Sequence, residues 1–415
     1  MKTARRGQRG RRLGLALAGG GPAGAVYEIG ALRALEEAVE GWDANECEVY
    51  VGVSAGAFIA GLLANGHTPS QLVRGLVTNE PGEHPFDPAI FFLPAYREWI
   101  GRAFEIPGLV ADGLWQFFRA PQDQTLLKSL IRLTGVVPLG LFDNEPIRRY
   151  LERVFSLHGR TDDFRRLRHK LFVVSADLEA GVPIVFGSEG WDHVPISQAV
   201  QASTAVPGLY PPVEIDGHLC VDGVLLKTVH ASVALEHGAD LLLCVNPLVP
   251  VDVAAGQRDH VLSEGALLGH GLPAILSQTF RTMIHSRMVV GMARYHAHYP
   301  DADVVLFEPE RHEYRLFFRN IFSFRSRREI CEIAYRATRR DLWRRRAGLE
   351  PILRRHGLGL RLDLLQDQER TVWEGVGMGR EGPGAGVADR LSTALARLET
   401  GGRPRRVRTR ARRAS

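Results

Sequence analysis

The 415-residue sequence predicts an α/β sandwich with a largely parallel central sheet, and three observations carry that expectation. Short apolar runs recur at residues 13–18, 49–53, 171–175 and 241–245. Segments with helical apolar spacing alternate with them, as in strand–helix–strand units. The first two runs lead into glycine-rich turns of the kind that joins a strand to a helix, Gly19-Gly20-Gly21-Pro22-Ala23-Gly24 and Gly52-Val53-Ser54-Ala55-Gly56.

In chain order, residues 13–18 form the first strand. Arg11 and Arg12 before it give the outline of a secretion signal. A six-residue run containing Gly14 is shorter than the ~7–15 residues of a secretory apolar core, however, and the same run is needed as a strand. Pro22 suits the first turn of a helix, and Val26, Ile29, Leu32, Leu35 and Val39 follow at helical spacing. The second strand, 49–53, ends at Ser54. Ala57, Phe58, Ile59, Ala60, Leu62 and Leu63 then run on with little polar relief, as expected of a helix buried behind the turn. Residues 85–140 differ in character, mixing Phe91, Phe92, Trp99, Phe104, Trp115, Phe117 and Phe118 with prolines and glycines. They read as a helical insertion, either packed aromatic core or a lid facing lipid.

Beyond the insertion, runs at 171–175 and 182–186 flank a turn at 179–181 and read as a hairpin or meander. Three more strands are expected at 213–215, 219–221 and 241–245, with a helix at 229–237. Leu276, Phe280, Met283, Ile284 and Met288 predict a long amphipathic helix over 274–295, and 325–346 predicts another, heavily basic on one side. Residues 375–386 read as a glycine-rich hinge, and Leu391, Leu395 and Leu398 as the stripe of a short helix before a basic tail.

A strand that feeds a glycine turn and then a helix offers free backbone N–H groups, which hold either a phosphate or the oxyanion of acyl transfer. Gly19, Gly21 and Gly24 satisfy the dinucleotide fingerprint, so a flavin- or nicotinamide-binding protein is one reading. That reading wants an acid at the carboxyl end of the second strand, ~20 residues on. Ser54 stands there, and Glu46 and Glu48 precede the strand. The other reading is a serine hydrolase, in which the Gly-x-Ser-x-Gly turn exposes a nucleophile.

A serine hydroxyl reacts only when a neighbour takes its proton. Ser54 follows only the second strand, early for a Ser-His-Asp hydrolase, and His193, His218, His230 and His237 sit in no recognisable setting. Asp222, in Cys220-Val221-Asp222-Gly223-Val224, is the better candidate, with an ordinary Asx-turn as its plain alternative. Together these segments resemble the patatin-like phospholipase family. That family joins a glycine-rich oxyanion loop, a Gly-x-Ser-x-Gly elbow and a distal Asp-Gly pair, and the string Ala202-Ser203-Thr204-Ala205-Val206-Pro207 looks like its intermediate block. The resemblance spans roughly residues 13–246.

The resemblance implies a three-layer sandwich and makes Ser54 the nucleophile and Asp222 the base of a Ser-Asp dyad. Gly19, Gly20 and Gly21 supply the oxyanion hole, and Gly24, Gly52, Gly56 and Gly223 support the motifs. It implies no metal or organic cofactor, and a lipid ester as substrate. An aspartate of ordinary pKa ~3.9 is a weak base, so burial or a nearby negative charge should raise it. Three positions depart from the family pattern: Ala23 replaces a basic residue, Val224 a glycine or alanine, and Ala18 an acid.

Composition is that of an ordinary globular protein, 45% hydrophobic and 24% charged. The net charge of +5 is misleading, because residues 1–12 carry six basic residues and 403–415 carry seven arginines, all without an acid. Setting those thirteen charges aside leaves the body at −8. The tails are candidates for peripheral contact with anionic membranes, beside the plainer reading of solvated ends, and no specific nucleic-acid partner is expected. A non-catalytic membrane-associated protein with a vestigial dyad is a further alternative.

Four scattered cysteines form no metal or disulfide framework, and no apolar run reaches the ~18 residues of a membrane span. The expectation is a cytoplasmic protein. His296, His298, Asp301 and Asp303 have metal-ligand chemistry, but residues two apart on a helix point to different faces. The expected organisation is a basic tail (1–12), a catalytic domain (13–310) with the insertion at 85–140, a helical extension (311–374), and a hinge, short helix and arginine-rich tail (375–415).

Overall fold

The computed structural model of the chain describes residues 12–80, 86–96, 139–258, 265–269, 271–311 and 324–378. All of the basic N-terminal tail but Arg12, most of the aromatic insertion, most of the hinge, and the last helix and arginine tail lie outside these residues.

A mixed α/β architecture surrounds a largely parallel sheet. Its strands are β1 (Leu13–Leu17), β3 (Val49–Val53), β4 (Lys170–Asp177), β5 (Pro183–Phe186), β6 (Val213–Ile215), β7 (His218–Asp222), β8 (Leu241–Val245) and β9 (Asp303–Phe307), and β2 (Val39–Glu40) lies outside it. The order across the sheet is β6, β7, β4, β3, β1, β8, β9, with β5 on β4. The five strands from β4 to β9 are mutually parallel, and β5, β6 and β7 pair antiparallel. β3 and β8 are buried at every position, which explains their unbroken apolar sequences, because helices cover both faces.

The first helix, α1 (Gly21–Ala38), starts with Pro22 in its first turn, and α2 (Ala55–Ala64) is buried from Ala55 to Leu63. Three further helices, α3 (Glu145–Phe155), α4 (Ile196–Ser203) and α5 (Ala231–Glu236), connect the later strands. The sequence reading did not include α3, α4 or β9. Short and mixed in polarity, α4 has little periodicity to read, and β9 follows directly on the long helix α6 (Gly271–His298).

The described ends of the insertion pack inward. Phe86 and Phe91 meet Phe58 and Tyr150 in an aromatic cluster with ring centroids 5.5–6.1 Å apart. The basic helix expected at 325–346 runs longer, as α7 (Phe324–Arg355), and lies along α1. A Cβ on Gly30 would stand 2.3 Å from the Cys331 carbonyl oxygen, so this crossing requires glycine. Beside it Glu37 accepts hydrogen bonds from Arg370 and Tyr335. Burial works against the Glu37 carboxylate, but these partners outweigh it and hold its pKa below the ordinary range. Strand β10 (Gly359–Leu360) closes this region by pairing with β2.

The long helix α6 carries the expected apolar residues, but they divide between two faces. Ile284 and Met288 are buried, whereas Leu276, Phe280 and Met283 face outward.

Candidate active site

One edge of β4 aligns the two strand ends that matter. Strand β3 pairs along that edge up to Val53 opposite Val174. Strand β5 occupies the opposite edge over residues 173–176, so β7 can join only on the β3 side, just beyond it, with Asp222 opposite Ser175. Val53 and Asp222 therefore face consecutive residues of one template strand. Ser54, at the end of β3, is thus brought beside Asp222 despite 168 residues of separation.

Ser54 is an elbow residue. It caps α2 with φ 54° and ψ −120°, a conformation rare for a side-chain-bearing residue. The surrounding glycines make the turn sterically feasible. A Cβ on Gly52 would lie 2.5 Å from Ala57 Cα, and one on Gly56 2.3 Å from the Leu17 carbonyl oxygen. The Ser54 N–H donates to Ser203 Oγ at 2.8 Å, and Ser203 Oγ donates in turn to the Val174 carbonyl at 2.6 Å. Two residues on, the Ala205 carbonyl accepts the Asp222 N–H at 3.0 Å. The block at 202–207 thus braces both halves of the pair.

Asp222 is fully buried. Its Oδ1 accepts the Val224 N–H at 2.9 Å, and its Oδ2 has no conventional hydrogen-bond partner. Burial raises its pKa to about 7, while the nearby Ser54 hydroxyl and the Val224 N–H pull in the opposite direction. In this resting arrangement the hydroxyl is a neighbour of the carboxyl rather than a fully formed hydrogen-bond donor. A Cβ on Gly223 would stand 2.4 Å from the Val174 carbonyl oxygen, so Asp222 can sit this close to β4 only with a glycine after it.

The glycine loop closes the site from above. Gly19 lies against Ser54 and Val224, where a Cβ would come within 3.2 Å of Ser54 Cβ and 3.1 Å of Val224 Cγ2. Gly20 and Gly24 pack on Pro247, and Gly21 opens α1 at φ 60°. Among the described residues no side chain caps α1 or α2. The N–H groups of Gly20 and Gly21 go to no carbonyl among the described residues. Both helices direct their amino ends toward the serine, an electropositive setting suited to a developing oxyanion. Val224, where a smaller residue was expected, forms a wall of this pocket.

The histidines are engaged elsewhere. His193 pairs with Asp216 and His218 with Asp177, while His237 Nδ1 contacts the Val233 carbonyl. His230 is buried with Nε2 at 3.2 Å from the Gly223 carbonyl, and burial lowers its pKa to about 4, so it supports the loop as a neutral ring. Glu46 and Glu48 lie at the far end of the sheet, where Glu48 accepts the Leu13 N–H. At the start of β9, Asp303 is held by Arg355 and His356. All four cysteines are buried and free. Ser203 and Pro247 carry no signal of their own in the sequence, and His230 shows only as one of four histidines without a recognisable setting, because each acts through a tertiary contact that leaves no local pattern.

The family described as patatin-like phospholipase matches residues 15–235, which contain every one of these site residues except Pro247. Among solved structures, VipD from Legionella pneumophila is 18% identical, covering 62% of this chain and 57% of its own, with a TM-score of 0.33. The type III effector ExoU, from Pseudomonas aeruginosa, is 16% identical over 80% of this chain and 53% of its own, with a TM-score of 0.34. Human GIVD cytosolic phospholipase A2, in complex with methyl gamma-linolenyl fluorophosphonate, is 15% identical over 60% and 42%, with a TM-score of 0.24. The chain spans 42–57% of the length of these three proteins.

Proposed function

The chain belongs to the patatin-like phospholipase family, and from that membership we propose that it cleaves acyl ester bonds of membrane lipids through a Ser54–Asp222 dyad. The observation that carries this reading is the register of β4, which sets the strained serine elbow beside a buried carboxyl under the glycine loop. As Ser54 Oγ attacks the ester carbonyl carbon, Asp222 accepts its proton. The N–H groups of Gly20 and Gly21 stabilise the oxyanion, with Gly19 setting the loop's approach to the serine. Collapse expels the alcohol, which takes the proton back from Asp222 and leaves an acyl group on Ser54. Water, giving a proton to Asp222, then attacks the acyl carbonyl carbon; the bond to Ser54 Oγ breaks, Oγ takes that proton back from Asp222, and the fatty acid leaves.

A base of pKa about 7 suits both proton transfers near neutral pH. Each oxyanion donor typically contributes ~10²–10³ in turnover, so the loop matters as much as the pair. Ser54→Ala is expected to abolish fatty-acid release from phospholipid vesicles while leaving thermal unfolding unchanged. Retained release at the wild-type rate would defeat the proposal.

A further inference from the structure

Helix α6 presents an apolar face to solvent. Leu272, Leu276, Phe280, Met283 and Val290 follow one another at spacings of three, four or seven residues, which places them in one stripe along the helix. All are at least 46% exposed, and Leu272 reaches 65%. The opposite face, with Ile284, His285 and Met288, is the buried one. A soluble helix ordinarily shows the reverse polarity, and a contiguous exposed apolar stripe on this scale marks an interaction surface.

The charges on the helix indicate the partner. Its 28 residues include no aspartate or glutamate, and of its three arginines Arg281 turns inward to the Val249 carbonyl, which leaves Arg287 and Arg294 on the outer side. Arg287 and Arg294 continue the line of the stripe, and Lys227 lies across the adjoining cavity. An apolar face flanked only by cations complements an anionic lipid surface, in which apolar side chains enter the acyl boundary and arginines meet the headgroups. The surface also adjoins the segment that follows Asp222. Arg287 donates to the Leu225 carbonyl, three residues after Asp222, and a cavity of about 400 Å³ opens between residues 226–229 and α6.

We infer that the outward face of α6 docks the protein on an anionic phospholipid bilayer, with its long axis in the plane of the interface. The proposed lipid substrate supplies the reason for such a partner, but the docking itself does not depend on catalysis. At ~1.5 Å per residue the stripe from Leu272 to Val290 offers ~27 Å of contact. No helix among the described residues is long and apolar enough to cross a membrane, so α6 lies on the surface rather than spanning it.

The test uses the full chain carrying Ser54→Ala, so that vesicles are not consumed, and Phe280→Cys labelled with an environment-sensitive dye. The four native cysteines are buried, which directs the label to the new position. Vesicles of phosphatidylcholine with and without phosphatidylglycerol are titrated at ~0.15 M and at ~0.5 M salt. At the higher salt a screening length of ~4 Å weakens attraction by the arginine tails and by α6 alike, and the glutamate variant, whose tails are unchanged, isolates the part played by α6. A blue shift on vesicle addition is expected. Leu276→Glu with Met283→Glu should reduce vesicle partitioning ~10-fold or more. The same pair of changes in the Ser54 protein should leave hydrolysis of a dispersed short-chain ester unchanged. An unshifted label, or equal partitioning of the glutamate variant, would overturn the inference. So would self-association abolished by the glutamates without any vesicle response, which would assign the face to a second copy. Because docking is read without Ser54, loss of the catalytic reading would leave this result interpretable.

Discussion

A carboxyl group with no exposed surface, one backbone N–H donor and a serine hydroxyl alongside is held near neutrality mainly by its burial, and this sets the chemistry of Asp222. A base works only when ionised. With a pKa raised to about 7, kcat/KM should therefore rise with pH through that value. On the acid side it should fall ~10-fold per pH unit, as one proton blocks one base. A pH–rate profile with a soluble ester checks this, and a profile flat down to about pH 5 would remove Asp222 from that role. Ser54, Asp222 and the glycines were legible in the sequence because spacing and backbone freedom are built into the chemistry they are proposed to perform. Ser203 was not. It stood inside a noticed block, but its part is one hydrogen bond to a backbone N–H and one to a carbonyl, which no periodicity records.

Among the elements, legibility followed length and burial. Strands β1, β3 and β8 and helices α1 and α2 showed themselves because a buried parallel layer needs uninterrupted apolar runs. The two-residue partners β2 and β10 have no signature at all. Helix α7 was foreseen as basic, but not where its arginines would go. Arg327 donates to the Leu76 carbonyl, which fastens α7 to the body of the fold, whereas Arg339 donates to Tyr335 on α7 itself and to the Asp367 carbonyl, which ties the following segment to the helix. Gly30→Ala tests that packing. Its new Cβ would meet the Cys331 carbonyl at 2.3 Å, a backbone atom that cannot rotate away. A loss of ~1–3 kcal/mol in denaturant unfolding is expected, as for other overpacked cores. Unchanged stability would show that α7 sits farther from α1. Helix α6 marks the limit of pattern reading, since its apolar residues predicted amphipathicity but could not tell which face the core would take.

Across the whole molecule, the family match ends at residue 235, before the sheet is complete. Strand β1 takes β8 as its second neighbour, β9 extends the sheet, and α7 covers α1, all from later sequence. The strands that carry the candidate site therefore depend on segments that carry none of the recognisable motifs. Charge is distributed on the same scale, with an acidic body between basic ends and a cationic, outwardly apolar α6 beside the proposed site. The central claim is that the complete fold activates Ser54 through Asp222. Its most direct test is labelling of the full chain by a fluorophosphonate, read by intact mass, in wild type, Ser54→Ala and Asp222→Asn. One adduct on wild type and none on either variant is the expected result. Labelling of Asp222→Asn at the wild-type rate, or of Ser54→Ala at all, would contradict the claim.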